Sequence, residues 1–416
     1  MKVYLEVYGC TANKSDASLV KGILKENKYE IVKDIKNADF IIIHTCTVIN
    51  TTEQRMLSRL RTFKKTGKKI IVSGCMASVQ VDLIKSILPN AIILPPQYSH
   101  HIIDVLNNKE VEFIDKNKTQ FLKFYEDVFA PISIAEGCMF SCTYCITSHA
   151  RGKLKSYPIN EIIENICSAI KQGCKEIQLT AQDTSSYGLD SGHNLGELLT
   201  NMSEIKGDFK IRVGMMNPYT CIKNIDSIIE GFNDLKIYKF LHLPVQSGDN
   251  DILEKMNRKY KVNDFIDIIK KFRKRYKGLT ISTDIIVGFP TETTEQFQNS
   301  IDLVKIIKPD VTNITRYSAR PLTNAKMMKG RISTEIVKER SRVLSEICSK
   351  ISKDNNLRHV GKKYKILITE KGKNNTFVGR TNNYKPVVLK TKTELGKFLN
   401  VKIIDAESTY LLGSII

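Results

Sequence analysis

Strand-like segments alternate with helical segments through the centre of the chain, and this alternation restricts the fold more than any other feature. The apolar runs recur about every 30 to 45 residues over residues 125–355. They end near Gly137, Asp183, Pro218, Gly248, Pro290 and Pro321. Helical spacing is clearest in residues 158–173, where Gly173 marks the end. We therefore expect an α/β domain over residues 125–355, built as an open barrel of six β/α units with functional groups at the carboxyl ends of its strands.

The first 110 residues alternate strands and helices in the same way, which predicts a separate α/β domain with a parallel sheet. Its three clearest strands cover residues 3–8, 40–44 and 70–73. A cysteine stands two positions after the end of each strand, namely Cys10, Cys46 and Cys75. Because ligands collect at the carboxyl ends of parallel strands, these three thiols can converge on one point. The alternative is three unrelated buried thiols.

The C-terminal end has short β-like segments and a high positive charge. Residues 363–370, 376–380, 385–390 and 398–407 are divided by Gly, Asn and Lys and predict a small all-β domain over residues 357–416. This domain carries twelve Lys or Arg against four Asp or Glu, so it holds +8 of the chain's net charge of +20. Such a concentration favours a nucleic-acid partner over a compositional habit of the source organism. A polar stretch over residues 110–127 is expected to link the first two domains, and residues 334–354 predict a last helix.

The expected location of the protein indicates that its cysteines bind metal or lie in the core. No apolar run approaches the ~18 residues of a membrane span, and the amino end leads into a strand pattern rather than a signal peptide. We therefore expect a cytoplasmic protein with no membrane contact, in which ten cysteines serve as metal ligands or core residues rather than as disulfides. The thiols without ligand spacing are expected in the core: Cys167, Cys174, Cys221 and Cys348.

The strongest motif is CMFSCTYC at residues 138–145. It places Cys138, Cys142 and Cys145 in a C-x3-C-x2-C loop directly after a predicted strand. Three thiolates bound to a cubane iron–sulfur cluster leave one iron with an open coordination position. A tetrahedral zinc site is the alternative, and His149 is its nearby candidate for a fourth ligand.

The whole chain resembles the radical S-adenosylmethionine (SAM) methylthiotransferases. The resemblance rests on the six cysteines above, on the segments LTAQDTSSYG, LHLPVQSGD, MNRKY and DIIVGFPTE, and on an end that is similar to a TRAM domain. It implies two [4Fe–4S] clusters, an auxiliary one held by Cys10, Cys46 and Cys75 and a SAM-cleaving one held by the C-x3-C-x2-C cysteines. It also implies two SAM molecules per turnover, one to methylate the transferred sulfur and one to generate the radical that activates the target carbon.

The resemblance and the strand ends together predict further cofactor-binding residues. They are Tyr144, Gln182, Asp183, Arg212, Gln246, Gly288 and Pro290. Gln182 and Asp183 are expected to hydrogen-bond SAM, although Asp183 can instead cap a helix. Arg212 is expected to pair with the SAM carboxylate, and an ordinary ion pair is its alternative.

The remaining motifs are less specific. Gly288 and Pro290 are expected to let the backbone approach the adenine, and a tight turn explains them equally well. Gln246 and Arg258 match family motifs, but spacing alone assigns neither a role. The basic runs at residues 61–69 and 270–278 either extend a tRNA track or form solvated helix faces.

The substrate follows from the resemblance and the basic C-terminal domain. Family members modify either adenosine 37 of tRNA or an aspartate of a ribosomal protein, and the positive charge favours RNA. The segment VYGCTANKSDAS is more similar to the archaeal and eukaryotic threonylcarbamoyladenosine type than to the isopentenyladenosine type. We therefore expect 2-methylthio-N6-threonylcarbamoyladenosine as the product, with the tRNA anticodon stem-loop, an electron donor and a sulfur donor as partners. Methylthiolation of the ribosomal aspartate and a non-catalytic iron–sulfur RNA-binding protein are the alternatives.

Overall fold

The computed structural model describes residues 1–109, 112–114 and 116–416. The strands of the first domain are β1 (Lys2–Val7), β2 (Glu30–Val32), β3 (Phe40–Thr45), β4 (Lys69–Gly74) and β5 (Ile92–Leu94). Its helices are α1 (Thr11–Glu26), α2 (Asn50–Lys64), α3 (Cys75–Val79), α4 (Val81–Ile87) and α5 (Ile102–Leu106). The strands pair in parallel in the order β2-β1-β3-β4-β5, which confirms the predicted sheet and adds two short edge strands.

Helices cover both faces of this sheet because its central strands are apolar on both sides. In β3, Ile41 and Ile43 pack with Met56 and Phe63 of α2. The intervening Ile42 points to the opposite face and packs among residues of α1 and α5. The two apolar layers fix the sheet between helices and leave the carboxyl ends of the strands free for polar loops.

The second domain contains six parallel strands and two short accessory strands. The six are β6 (Phe129–Ser133), β9 (Glu176–Thr180), β10 (Lys210–Arg212), β11 (Phe240–His242), β12 (Thr280–Val287) and β13 (Val311–Arg316), and the accessory pair is β7 (Ala135–Glu136) and β8 (Lys155–Ser156). Its helices are α6 (Thr147–Arg151), α7 (Ile159–Lys171), α8 (Leu195–Met202), α9 (Pro218–Lys223), α10 (Ile225–Gly231), α11 (Asn250–Lys255), α12 (Val262–Arg275), α13 (Thr294–Ile307) and α14 (Thr334–Leu357).

The six strands form an open barrel. They pair as β10-β9-β6 and β11-β12-β13, and a parallel bridge between Ile211 and Ile237 joins the two halves. This arrangement confirms the predicted barrel of six β/α units. The thiols of Cys174, Cys221 and Cys348 are buried in its apolar core, and Cys167 packs against that core, as the sequence predicted.

The third domain is a closed five-stranded barrel. Its strands are β14 (Lys363–Lys371), β15 (Phe377–Arg380), β16 (Pro386–Leu389), β17 (Phe398–Ala406) and β18 (Leu411–Ile415). Four strands match the predicted segments, and β18 completes the closure by pairing with β16 and β17. The loop between β15 and β16 packs against the amino end of the central barrel, where Tyr384 donates a hydrogen bond of 3.1 Å to Glu176 at the start of β9.

The segment that precedes the central barrel is packed rather than free. The start of the predicted linker, Glu110, lies outside the described residues. Lys118 and Lys123 are nevertheless almost fully buried, and Lys118 forms two ion pairs. This part of the predicted linker is therefore packed between the first two domains, because Lys118 pairs with a carboxylate of each and Lys123 is covered by protein. In the part of the chain that the structure describes, no helix is both long and apolar enough to cross a membrane.

Candidate iron–sulfur and substrate site

The three cysteines of the first domain lie at one edge of its sheet. β1, β3 and β4 are adjacent, so Cys10 after β1, Cys46 after β3 and Cys75 at the start of α3 leave the sheet side by side. Gly9 has a φ of +98°, and a Cβ there would lie 2.8 Å from the Cβ of Cys46 and 3.3 Å from its Sγ. Glycine is needed at this position because the Cys10 loop passes directly against Cys46.

Burial opposes ionisation of the Cys46 and Cys75 thiols. Burial raises the pKa of Cys75 to about 11 and also raises the pKa of Cys46, and each thiolate would disfavour its neighbours. The positive charge of Arg151 acts in the opposite direction on both thiols. Arg151 also interacts electrostatically with Cys10, so its positive charge acts on all three thiols.

Arg151 belongs to a buried ring of four charged side chains. Its Nη2 donates to Asp16 at 2.8 Å and its Nη1 donates to Glu136 at 2.7 Å. Lys118 completes the ring by donating to Asp16 at 2.7 Å and to Glu136 at 2.6 Å. The two positive and two negative charges of the ring cancel, and each ion is paired. Buried ions are tolerated in proteins when they are paired in this way. The Nε of Arg151 is buried without a hydrogen-bond partner.

The ion ring connects the two cysteine-bearing parts of the molecule. Asp16 lies on α1, which begins just after Cys10, whereas Glu136 lies on β7, two positions before Cys138. Arg151 ends α6, the helix that follows the C-x3-C-x2-C loop. The ring therefore fixes the first domain against the segment that carries the second group of cysteines.

The C-x3-C-x2-C loop follows the first strand of the barrel and is held by its main chain. The Thr143 N–H donates to the carbonyl of Met256 at 3.1 Å, and the Ala325 N–H donates to the carbonyl of Thr143 at 2.8 Å. The Cys138 N–H donates to the carbonyl of Gly152 at 3.0 Å. These bonds hold the loop to segments that follow α6, α11 and β13, and so fix the direction of its thiols.

One half-buried arginine also lies beside this second group. Nη1 of Arg258 donates to Sγ of Cys142 at 3.4 Å, and its Nε donates to the hydroxyl of Tyr260 at 3.0 Å. Burial raises the pKa of Cys142 and raises that of Cys138 to about 12, and the charge of Arg258 opposes the effect at Cys142. A hydrogen bond from a cation stabilises a thiolate, so this arrangement fits a metal-bound cysteine.

The structure gives no support to a zinc site. His149 is exposed on α6. Among the described residues, no three His, Cys, Asp or Glu side chains converge closely enough to hold a single metal ion. Cysteines that bind a cubane each ligate a different iron and need not converge in that way, so the two groups of three thiols fit clusters better than they fit zinc.

Three predicted SAM contacts lie near the carboxyl ends of the barrel strands. The Oε1 of Gln182, just after β9, is buried without a hydrogen-bond partner and is available to a ligand. Gln246 has a left-handed backbone with φ +72°, a strained conformation of a kind found at binding sites. Tyr144 packs against a small apolar cluster that includes Met256 and Phe289.

Asp183 is a capping residue in this structure. Its carboxylate accepts hydrogen bonds from the Ser185 N–H at 3.0 Å, the Ser185 hydroxyl at 2.7 Å and the Asn217 N–H at 2.9 Å. The Thr220 hydroxyl donates to its other oxygen at 2.6 Å. The protein's own groups thus occupy both oxygens, which favours the capping alternative over direct contact with SAM.

Arg212 lies toward the other end of the barrel. Its guanidinium carbon is 5.2 Å from the ring centre of Phe240 and 5.4 Å from that of Tyr384. Both rings lie at the amino end of the strands, whereas the C-x3-C-x2-C loop follows a carboxyl end. This location favours a cation–π contact over a bond to the SAM carboxylate.

Gly288 is required by packing. Its φ is +76°, and an added Cβ would lie 2.4 Å from Cγ2 of Val337 on α14. The Gly288 N–H also donates to the Glu292 carboxylate at 2.9 Å, and the nearby Pro290 is buried. The tight-turn alternative therefore explains Gly288 without a cofactor.

Sequence reasoning missed two arginines that reach from the second domain into the first. Arg151 stands six positions after Cys145, and nothing in its local spacing distinguishes it from a surface residue. Arg320, after β13, donates from Nη2 to the Thr47 hydroxyl at 2.8 Å and pairs with Glu53. Both are almost fully buried, and their partners are distant in sequence, so only the tertiary structure identifies them.

Comparisons with known families match all three parts of the chain. The Radical SAM superfamily matches residues 132–304, the TRAM domain matches residues 357–416, and "Uncharacterized protein family UPF0004" matches residues 2–94. A radical SAM methyltransferase of Kitasatospora setae, TsrM, superposes with a TM-score of 0.57 at 12% identity, covering 78% of this chain and 76% of that one. Fold and cysteine loop together define a radical SAM protein, and that superfamily implies SAM and a [4Fe–4S] cluster as cofactors.

Full-length relatives narrow the class further. A protein of Archaeoglobus fulgidus named as a probable threonylcarbamoyladenosine tRNA methylthiotransferase is 42% identical, over 100% of this chain and 99% of the relative. The human threonylcarbamoyladenosine tRNA methylthiotransferase is 30% identical over 99% of this chain and 73% of its own length. The chain belongs to the threonylcarbamoyladenosine tRNA methylthiotransferase family.

Proposed function

We propose that this protein adds a methylthio group to C2 of N6-threonylcarbamoyladenosine at position 37 of tRNA. The observation that carries the proposal is the pair of cysteine trios, each beside one arginine and both joined through the ion ring. The names of the full-length relatives support this reaction. A cytoplasmic location is part of the proposal, because thiolate-bound clusters require a reducing compartment.

In this proposal the chain holds two [4Fe–4S] clusters. Cys138, Cys142 and Cys145 hold one, and the three cysteines of the first domain hold the other. Each trio satisfies three irons and leaves the fourth for an exogenous ligand, so the donor sets fit the group. When bound, the first of these clusters would pass the donor's electron to SAM and the auxiliary cluster would carry the sulfur to be transferred, with two SAM molecules used per turnover.

The protein's own residues bind and orient these groups. Arg258 donates to Cys142, and the charge of Arg151 favours the thiolate forms of Cys46 and Cys75. The free Oε1 of Gln182 accepts a hydrogen bond from SAM, and Gln246 offers a second polar contact on the neighbouring part of the barrel.

The RNA part of the proposal concerns the anticodon loop. A base in this loop is unpaired, so placing it beside the cysteine loop costs less than flipping a base out of a duplex. The lysines of the C-terminal barrel supply charge for the phosphates. The electron donor and the sulfur donor remain separate partners of the reaction.

A defined assay tests the function. Anaerobically reconstituted protein is incubated with SAM, dithionite as the reductant, sulfide as the sulfur source, and tRNA that carries threonylcarbamoyladenosine. Nucleoside mass spectrometry should detect the 2-methylthio product, and the same tRNA without the N6 group should not react. Modification of a ribosomal-protein aspartate alone would remove the RNA assignment, and absence of both 5′-deoxyadenosine and S-adenosylhomocysteine would leave a non-catalytic iron–sulfur protein.

A further inference from the structure

The C-terminal barrel and the C-x3-C-x2-C loop lie at opposite ends of the central barrel. The Asn383 side chain donates to the carbonyl of Gly278, two residues before β12, and Lys385 pairs with Asp310, just before β13. The eight residues of β12 span about 26 Å at 3.3 Å per residue. The C-terminal barrel therefore lies about one strand length from the cysteine loop. RNA contacts made only by this barrel cannot place a base beside that loop.

A basic segment lies at the cysteine end instead. Residues 316–331, here called the rim segment, begin at the last residue of β13. The Ala325 N–H of this segment donates to the carbonyl of Thr143 in the cysteine loop at 2.8 Å. The rim segment contains five basic residues and no Asp or Glu. Four of the five are exposed: Arg316, Lys326, Lys329 and Arg331. The rim segment thus presents positive charge without local neutralisation.

The rim segment is also fixed in place and carries exposed apolar groups. Arg320 anchors its first part through Thr47, and the Thr291 N–H donates to the carbonyl of Gly330 at 2.8 Å. Leu322 has a left-handed φ of +63° although its side chain is 61% exposed, and Met327 is 82% exposed. A leucine keeps such a backbone only where the surroundings impose it, so the Leu322 side chain is held outward.

We propose that the rim segment binds the anticodon loop, with Lys326, Lys329 and Arg331 at phosphates and Leu322 and Met327 against the faces of unpaired bases. Single-stranded RNA presents both features together, a line of phosphates and exposed apolar base faces. A protein partner with an acidic surface would match the charges but would not require the site to border the cysteine loop. The inference rests on the proposed function, because it places the same tRNA at the same site.

Direct binding measurements test this surface. The reconstituted protein is titrated into a fluorescently labelled anticodon stem-loop RNA at several salt concentrations. The triple variant K326Q/K329Q/R331Q should bind at least about tenfold more weakly, and its log–log salt slope should be smaller by about 2, since each lost single-strand phosphate contact removes about 0.7. The matched control K305Q/K338Q/K350Q makes the same charge change at exposed positions of α13 and α14 and should retain most of the affinity.

A second variant separates apolar contact from charge. L322S/M327Q should weaken binding about fivefold while leaving the salt slope unchanged, because it removes no cation. SAM cleavage without RNA should continue in all three variants, which shows that they are folded and loaded. Equal binding by the rim triple and the unaltered protein would overturn the inference, as would an equal loss in the control, whereas failure of the unaltered protein to bind the RNA would overturn the proposed function itself.

Discussion

The hydroxyl of Tyr384 donates a hydrogen bond of 3.1 Å to the carboxylate of Glu176, and this contact joins the C-terminal barrel to the first residue of β9. The Tyr384 ring also lies 4.7 Å from the ring of Tyr238 and 5.0 Å from that of Phe240. The loop that carries Tyr384 therefore closes the amino end of the central barrel. The C-terminal domain is part of the packing of its neighbour as well as a basic surface.

Replacing Tyr384 should destabilise the central barrel. We expect Y384A to lower the free energy of unfolding by about 2 to 4 kcal/mol, because it removes a ring from an aromatic cluster and leaves a gap. Y384F keeps the ring and should cost only about 1 kcal/mol, the usual contribution of one hydrogen bond. Chemical denaturation followed by circular dichroism measures both values. Equal effects of the two variants would mean that the hydrogen bond, not the ring, closes the barrel.

RNA binding by the C-terminal barrel is better tested by point substitutions than by deletion. Removing residues 357–416 would also remove Tyr384 and expose the barrel end, so weaker tRNA binding would have two explanations. Lys363 pairs with Lys402 in the β14–β17 register, and Lys365 is exposed on the same barrel surface. We expect K363Q/K365Q/K402Q to lower tRNA affinity and flatten its salt dependence, with unchanged thermal stability. Unaltered affinity would show that this face does not carry the RNA.

The two-cluster proposal makes a prediction about iron content. The reconstituted protein should hold about eight irons, and C10A/C46A/C75A should hold about four, since each cubane contains four. This variant should still cleave SAM but should transfer no methylthio group. Iron and sulfide analysis with Mössbauer spectroscopy measures the clusters, and the amount of 5′-deoxyadenosine measures SAM cleavage. A folded triple variant without SAM cleavage would contradict the separation of the two roles.

The sequence predicted the parts of the site that depend on local order along the chain. Cys10, Cys46 and Cys75 could be placed together because each follows a strand, and the structure makes those three strands neighbours. The six barrel strands were predicted from similar local order, since the apolar runs recur at regular spacing and each of the first five precedes a helical pattern. The short strand β18 was missed because its place is set by pairing with β16 and β17 rather than by its own residues.

Roles that depend on distant partners could not be read from the sequence. Arg151 contacts Asp16, which is 135 positions away, and Arg320 contacts Glu53, which is 267 positions away. Arg212 was expected at the cofactor because it lies on a barrel strand, but the C-terminal domain places an aromatic ring beside it. In each case the deciding neighbour belongs to another domain, so periodicity and spacing contain no signal for it.

The ion ring predicts a large effect of Arg151 on stability. R151M removes one of two cations and leaves Asp16 and Glu136 buried with only Lys118, which should cost about 3 to 5 kcal/mol. R151K retains the charge but not the forked geometry and should recover part of that loss. The iron content of the two variants should follow the same order, because the ring fixes the first domain against the cysteine loop. Unfolding of the metal-free protein separates the structural loss from cluster loss.

Substitutions at Gly288 test whether packing on α14 or contact with the cofactor is the reason for glycine at this position. In G288A the new Cβ would meet Cγ2 of Val337, 2.4 Å away, and the backbone would keep a φ of +76° that alanine disfavours by about 1 to 2 kcal/mol. We expect G288A to destabilise the protein and to weaken SAM binding indirectly. V337A, introduced as a second substitution, should relieve the collision, so the two changes should couple favourably by at least about 1 kcal/mol in a double-mutant cycle.

The SAM affinity of the double variant decides between the two interpretations of Gly288. If packing against α14 is the reason for glycine, calorimetric SAM affinity should recover together with the free energy of unfolding when Val337 is shortened. V337A alone serves as the control, because it opens space on the α14 side without altering the Gly288 backbone. Recovery of stability without recovery of SAM affinity would instead place the adenine against Gly288, since shortening Val337 cannot make room for a ligand on the opposite side of the turn.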